Sequence, residues 1–243
     1  MVKVFLDPGH GGKDPGAVGN NLREKDITLA VALKVGQILK RHNVEVLYSR
    51  TTDVFVDLTP RANMANNAKA DVFVSIHVNS FNNPSAQGLE TFSHTGSIKG
   101  AELAKDIQDS LLQAELYTKN RGIKTANFTV IAKSTMPAVL VELAFISNID
   151  DSKILRNQQL EIAESVAKGI LKNLGIKYVE KKEESKKEKE LDTIKFNLHG
   201  RELEVEGIYK DNTNYIPIRF LEKLGYKIDW KDGTVIVDYR EVK

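Results

Sequence analysis

Four side chains of types that bind metal ions stand where strand or helix patterns begin or end: His10, Glu24, His77 and Glu142. The first follows an apolar run at residues 2–6, and the third ends the β-branched and aromatic run DVFVSIH at residues 71–77. Glu142 lies in the apolar run AVLVEL at residues 138–143, and Glu24 comes just before a helix that we expect to begin near Asp26. Because ligands of α/β proteins bind at the carboxyl ends of the strands, these side chains are expected at one edge of a sheet.

Each of the four also has an ordinary structural interpretation. A histidine after a strand is usually a turn residue, and a glutamate at a helix start usually interacts with the helix dipole. Glu142 is harder to explain in this way, because an unpaired carboxylate in a buried strand is costly unless a cation lies beside it. Spacing alone leaves a metal site and these structural roles equally open.

The composition restricts the chemistry. The 243 residues include no cysteine, which excludes disulfides, thiol nucleophiles and cysteine-based zinc sites. The net charge of +2 argues against nucleic acid as a partner. No apolar run is long enough to span a bilayer, and the N-terminus does not resemble a signal peptide. We therefore expect a protein that is made in the cytosol and released, or a mature form whose signal has been removed.

The elements that must position these residues alternate along the first 178 residues. Apolar and β-branched runs predict strands, and apolar residues at helical spacing predict the helices between them. This alternation predicts an α/β fold with a mostly parallel sheet flanked by helices on both faces. The predicted strands are 2–6, 44–48, 71–77, 89–92 and 138–143, and the predicted helices are 26–41, 60–69, 98–114 and 149–174.

A charged segment divides the chain. Residues 179–190 read VEKKEESKKEKE, in which five lysines balance five glutamates, and this pattern predicts a solvated linker. After it, residues 191–243 contain two hairpin patterns around a short helix that ends at Gly225. We expect a small α+β C-terminal domain of the ββαββ type.

At this point several segments together resemble one family, the amidase-3 family of N-acetylmuramoyl-L-alanine amidases. The resemblance covers essentially all of residues 1–175, with the segments in the expected order. These segments are FLDPGHGGKDPGAVG (5–19), REKDITL (23–29), SRTTD (49–53), SIHVNS (75–80), NPSAQGLET (83–91) and MPAVLVELAFISN (136–148).

The resemblance implies zinc-dependent hydrolysis of the amide between N-acetylmuramic acid and L-alanine in bacterial peptidoglycan. It places the zinc ligands at His10, Glu24 and His77, and the catalytic glutamate at Glu142. Two imidazoles and one carboxylate form an open catalytic set, whose fourth position holds a water with a pKa lowered to about 7. Glu142 would then move the proton from this water to the leaving amine.

The remaining polar residues give weaker expectations. Asn79 and Asn127 are candidates to hydrogen-bond the substrate, although each could equally satisfy a loop backbone. His94 follows a strand and could approach the site. His42, at a predicted helix end, and His199, in a predicted hairpin turn, are expected to be structural.

The C-terminal segment YIPIRFLEKLGYKIDWKDGTVIV (215–237) resembles the small module named after the N-terminal domain of copper amine oxidase. This resemblance implies wall binding or self-association, with a passive folding unit as the alternative. The whole chain is thus expected to act at the bacterial cell wall, as an endolysin or autolysin. Two other functions stay open: a wall-binding protein without catalysis, and a zinc peptidase that cuts within the stem peptide.

Overall fold

A computed structural model describes residues 1–180, 192–198, 201–210, 213–215, 219–224, 226–231 and 234–239. The chain forms two compact units, Met1–Val179 and Glu180–Lys243. Most of the predicted linker and His199 lie outside the described residues. None of the described helices is both long and apolar enough to cross a membrane.

The larger unit is built on one six-stranded sheet. The strands of this unit are β1 (Lys3–Pro8), β2 (Val18–Gly19), β3 (Leu22–Arg23), β4 (Glu45–Tyr48), β5 (Val72–Asn79), β6 (Leu89–Ser93), β7 (Asn120–Thr125) and β8 (Ala138–Phe145). The strand order in the sheet is β4-β1-β5-β8-β6-β7. Strands β4, β1, β5 and β8 are parallel, β6 is antiparallel to β8, and β7 is parallel to β6. The prediction of a mostly parallel sheet is thus confirmed, with its last two strands reversed.

Helices cover both faces of this sheet. They are α1 (Glu24–Arg41), α2 (Leu58–Ala68), α3 (Ile98–Gln113), α4 (Thr129–Ala132), α5 (Ile149–Asn157) and α6 (Gln159–Asn173). Side chains alternate between the two faces along each strand, so apolar residues of one strand need cover on both faces. In β1, Val4 and Leu6 belong to a large core with α1, α3 and α6, whereas Phe5 belongs to a smaller core with α2 and α4.

Several boundaries differ from those expected, and three of the differences affect the description of the site or of the helices around it. Helix α1 begins at Glu24 rather than near Asp26, so this glutamate lies in the first helical turn, where an acidic side chain is favourable. Strand β5 continues two residues past His77, to Asn79. The predicted helix 149–174 is two helices, because Gln158 leaves the helical conformation (φ −122°, ψ 31°), and this break lets α5 contact β8 while α6 packs on α1 and α3.

The smaller unit contains both predicted strand pairs. Strands β9 (Asp192–Leu198) and β10 (Arg201–Lys210) are antiparallel, as are β12 (Tyr226–Lys231) and β13 (Thr234–Tyr239). A short strand that we did not expect, β11 (Thr213–Tyr215), pairs with β10, and α7 (Arg219–Lys223) precedes β12.

Candidate metal centre

Three of the predicted ligands converge at the carboxyl edge of the sheet. His10 follows β1, Glu24 begins α1 and His77 lies near the end of β5. One ligand atom from each lies within 4.8 Å of the other two. Glu24 Oε1 is the centre of the group, 3.1 Å from His10 Nε2 and 3.0 Å from His77 Nδ1. The sheet and α1 thus bring together residues that are up to 67 positions apart in the sequence.

Glu24 is held by two backbone amides. Its Oε2 accepts a hydrogen bond from the Ala17 amide, and its Oε1 accepts one from the Val78 amide, each at 2.8 Å. Burial opposes ionisation of this carboxyl, but the hydrogen bonds from His10 and His77 outweigh it and hold the Glu24 pKa well below its usual range. The carboxylate is therefore charged and fixed before any ligand arrives.

His10 occupies a turn with a left-handed backbone, φ 60°, which is uncommon for a residue with a side chain. Its Nδ1 lies 2.8 Å from Asp14 Oδ2, which leaves Nε2 facing Glu24. Burial lowers the pKa of His10, but Glu24 and Asp14 together raise it to about 9. A carboxylate on the far nitrogen is the usual way in which a metal-binding imidazole is oriented, so Asp14 is a positioning residue for His10.

Two glycines leave room for these side chains. A Cβ atom at Gly9 would lie 2.4 Å from His77 Cε1, and one at Gly16 would lie 2.6 Å from the His10 ring and 2.7 Å from Glu24 Oε2. Gly16 also has a left-handed backbone, φ 65°. At these two positions the chain needs glycine so that the three side chains can meet.

Glu142 lies beside His77, which is its register partner between β5 and β8. Its Oε2 is buried and makes no hydrogen bond within the described part of the chain. Burial raises the pKa of the Glu142 carboxyl to about 7. A buried carboxyl oxygen without a partner is costly, and it is explained if a bound group completes the site.

Two buried arginines that the sequence analysis did not single out fix the His10 turn. Arg61 donates to the carbonyls of Pro8 and His10 at 2.7 and 2.8 Å, and its charge is balanced by Asp7 at 2.8 Å. Arg50 donates to the carbonyls of Pro8, Gly9, Thr52 and Lys25 and to Thr28 Oγ1. Arg50 therefore ties the backbone next to His10 to the first turn of α1, which carries Glu24.

Of the predicted substrate residues, the structure places one near the site. Asn79 lies two residues beyond His77, and its Nδ2 donates to Glu90 Oε1 at 2.8 Å. Asn127 follows β7 near Ser93, whose register partner is Val139. Val139 and Glu142 are three positions apart in β8, so Asn127 lies at a level of the sheet about 10 Å from Glu142.

The other described histidines lie away from the centre. His94 follows β6, and since β6 runs antiparallel to β8, it lies at the opposite edge of the sheet; the expectation that it could approach the site was wrong. His42 ends α1, with Nδ1 2.9 Å from the Ile38 carbonyl and Nε2 accepting a hydrogen bond from the Val179 amide. Its ring stacks on Tyr178, as suits a structural residue.

The donor set fits a zinc ion. Two imidazole nitrogens and one carboxylate are the protein ligands of catalytic zinc sites of the open type, and the Glu142 carboxyl group lies next to them. The three ligand atoms lie within 4.8 Å of one another, and beside them lies a buried carboxyl oxygen of Glu142 that has no hydrogen-bond partner among the described residues. The arrangement suits hydrolysis of a carbonyl compound assisted by a metal ion.

Comparison with known proteins agrees with this chemistry. Residues 4–172 match the family described as Amidase_3, N-acetylmuramoyl-L-alanine amidase. The chain is 40% identical over 184 residues to an endolysin of Bacillus phage SPP1 (72% of this chain and 66% of the relative). It is 42% identical over 172 residues to the sporulation-specific N-acetylmuramoyl-L-alanine amidase of Bacillus subtilis (70% and 65%). The chain thus spans slightly under two thirds of the length of these two relatives.

Solved structures show the same fold. The N-acetylmuramoyl-L-alanine amidase AmiC2 of Nostoc punctiforme superposes with a TM-score of 0.69 at 40% identity, covering 72% of this chain and 97% of that one. The catalytic domain of CwlV from Bacillus (Paenibacillus) polymyxa also has a TM-score of 0.69 at 40% identity, with 73% and 100% covered.

Proposed function

Because this chain belongs to the Amidase_3 family of N-acetylmuramoyl-L-alanine amidases, we propose that it hydrolyses the amide between N-acetylmuramic acid and L-alanine in bacterial peptidoglycan. His10, Glu24 and His77 would hold a zinc ion, and Glu142 would be the catalytic acid and base. The observation that carries the proposal is the convergence of the three ligand atoms beside a buried carboxyl oxygen that has no partner in the described part of the chain.

The proposed chemistry assigns a role to each side chain. Zinc, when bound, supplies a Lewis acid that polarises a carbonyl group and lowers the pKa of water. Glu142 takes a proton from the attacking water and gives it to the nitrogen of L-alanine as the amide bond breaks. Burial holds the pKa of Glu142 above its usual range in the metal-free site, and a bound cation would favour the ionised form that accepts the proton. The products are the free lactyl carboxyl group of the sugar and the free amine of the stem peptide.

The supporting residues keep this arrangement in place. Asp14 orients the His10 ring, and the backbone amides of Ala17 and Val78 orient both oxygens of Glu24. Arg50 and Arg61 hold the turn before His10 through its carbonyl groups. Such preorganisation reduces the cost of assembling the reacting groups in each catalytic cycle.

The proposed setting is the bacterial cell wall. One relative is named an endolysin and another a sporulation-specific amidase, so lysis of a host and remodelling of a cell's own wall are both represented among similar proteins. For residues 191–243 we propose wall binding or self-association, since this segment follows the family match and forms a unit of its own.

The test is digestion of purified peptidoglycan with and without a chelator, followed by mass spectrometry of the soluble products. We expect stem peptides that begin with L-alanine, lost after chelation and restored by added Zn²⁺. Peptides cut within the stem would instead identify a peptidase. Wall that is bound and not cut in either sample would identify a binding protein and refute the proposed activity.

A further inference from the structure

Two cations on β7, Arg121 and Lys124, lie beside the proposed catalytic residue and share one carboxylate. Arg121 Nε donates to Glu90 Oε2 at 2.8 Å, and Lys124 Nζ donates to the same oxygen. Glu90 is buried, and its other oxygen accepts the hydrogen bond from Asn79. Burial raises the pKa of Glu90, but the two cations outweigh this effect and the pKa is lowered, so Glu90 is ionised at neutral pH.

Sheet register places this group on the same face as the candidate metal centre. Glu90 is the antiparallel partner of Glu142, and Glu142 is the parallel partner of His77. Directly paired residues of neighbouring strands point to the same face of a sheet. The ion-pair group therefore borders Glu142 on the side away from His77.

An irregularity in β7 brings both cations to that face. Residues three apart in a regular strand point to opposite faces. Here the pairing of β6 with β7 shifts its register between Leu89 and Thr91, and Gly122 has a left-handed backbone, φ 81°. Since this bulge lies between Arg121 and Lys124, both side chains reach Glu90.

The group carries a surplus positive charge that solvent can reach. Two cations share one carboxylate, and the side chains of Arg121 and Lys124 are 31% and 39% exposed, whereas that of Glu90 is 6% exposed. Within the described residues, Arg121 donates hydrogen bonds only through Nε, so its two terminal nitrogens are available to a ligand. The guanidinium carbon lies 4.8 Å from the Phe145 ring centroid, a cation–π contact that restrains the side chain.

We propose that Arg121 and Lys124 form a binding subsite for a carboxylate of the stem peptide. This inference rests on the proposed function. The lactyl carboxyl group of the sugar is consumed in the amide bond, so the carboxylates of a muramoyl peptide lie on the peptide side. In a stem peptide whose residue after L-alanine is a glutamyl residue linked through its γ-carbonyl, the α-carboxylate of that residue is the free carboxylate nearest to the scissile bond. The guanidinium fork of Arg121 matches a carboxylate in shape and charge.

The subsite gives the enzyme a preference for acidic over amidated stem peptides. The test uses two muramoyl peptides that differ only in this group, one with the free α-carboxylate and one with the carboxamide. For the unaltered full chain we expect kcat/KM to be about tenfold higher for the carboxylate, the size of one charge-assisted hydrogen bond. In R121Q, and separately in K124Q, we expect the ratio of the two kcat/KM values to fall toward one. Each variant leaves Glu90 with the other cation and Asn79, so we expect the fold to persist.

The control variant is Lys119→Gln. Lys119 is exposed and precedes β7 but makes no ion pair with Glu90 in the described structure, so the ratio should not change. The inference is overturned if the unaltered enzyme cleaves both substrates equally, or if R121Q and K124Q slow both substrates by the same factor.

A binding measurement separates this inference from the proposed activity. Calorimetry with the free stem peptides, acidic and amidated, reports the subsite without any bond cleavage. We expect tighter binding of the acidic peptide, reduced by R121Q. If no substrate is cleaved but this preference is present, the proposed activity fails and the subsite stands; equal binding of the two peptides refutes the subsite.

Discussion

Replacing Gly9 with alanine should remove zinc binding without disturbing the sheet. Gly9 stands between β1 and His10, and its backbone does not have the left-handed conformation that only glycine adopts easily. The added methyl group would lie 2.4 Å from His77 Cε1 and 2.7 Å from both ring nitrogens, where 3.4 to 4 Å is ordinary contact. The His77 ring must therefore move by about 1 Å if the backbone stays in place, since this is the shortfall from ordinary contact.

The backbone at Gly9 has little freedom to move instead. Its amide donates to the Ile76 carbonyl at 2.9 Å, and its carbonyl accepts hydrogen bonds from Arg50 and Thr28. Zinc ligands tolerate errors of only about 0.2 Å, so a displaced His77 ceases to be a ligand. Changes in the residues that support zinc ligands cost about 10- to 100-fold in affinity, and loss of a ligand itself should exceed this range.

Competition with a chelating dye measures the zinc affinity, and thermal unfolding in the presence of a chelator measures the stability of the metal-free fold. We expect G9A to lose more than about a hundredfold in zinc affinity. The control is G96A, where the new methyl group meets no atom within 4 Å although φ is 81°. It should lose some stability and keep the zinc affinity. Zinc binding by G9A within threefold of the unaltered protein would show that the reasoning from His77 is wrong.

Three further predictions concern the same centre. E142Q should lower kcat by about 10²- to 10⁴-fold, measured by the release of new amino termini from peptidoglycan. Bound zinc, measured by atomic absorption, should be unchanged, and loss of the metal would contradict the role assigned to Glu142. R50K should lower the free energy of unfolding by about 2–4 kcal/mol in urea titrations, because lysine cannot reach the five acceptors of Arg50. The control R41K, at the exposed end of α1, should change the free energy of unfolding by less than about 0.5 kcal/mol. Zinc affinity should rise with pH between 6 and 8 by about tenfold per unit, because the raised His10 pKa of about 9 means that a proton must leave before the metal binds. Calorimetry in buffers of different ionisation enthalpy should detect about one released proton, and a flat pH profile would contradict this account.

Local pattern placed the four candidate side chains at strand and helix ends but left a metal site and structural roles equally open, and the resemblance to the amidase-3 family assigned the ligands and the catalytic glutamate. His10 and His77 follow apolar runs, and the buried strand around Glu142 makes its carboxylate conspicuous. The start of α1 was misplaced by two residues, since helix ends are poorly defined by hydrophobic periodicity.

The reversed direction of β6 and β7 could not be predicted in the same way. Strand β7 reads NRGIKT, a mostly exposed edge strand with a bulge at Gly122, and it has no apolar alternation to reveal it. Because the sequence does not reveal that reversal, His94 and Asn127 were expected near the site. In the structure, β6 and β7 end level with the start of β8, at the opposite edge of the sheet. The buried arginines were likewise hidden, because a buried arginine differs from a surface one only in its tertiary contacts.

The interaction of His42 with Val179 determines where the chain leaves the larger unit. Glu24 and His42 lie at opposite ends of α1, whose 18 residues span about 27 Å. The Val179 amide, which donates to His42 Nε2, is thus held a full helix length from the candidate metal centre. A change in the chain near residue 180 therefore acts a full helix length from Glu24, which allows the segment after it to vary independently of the candidate metal centre.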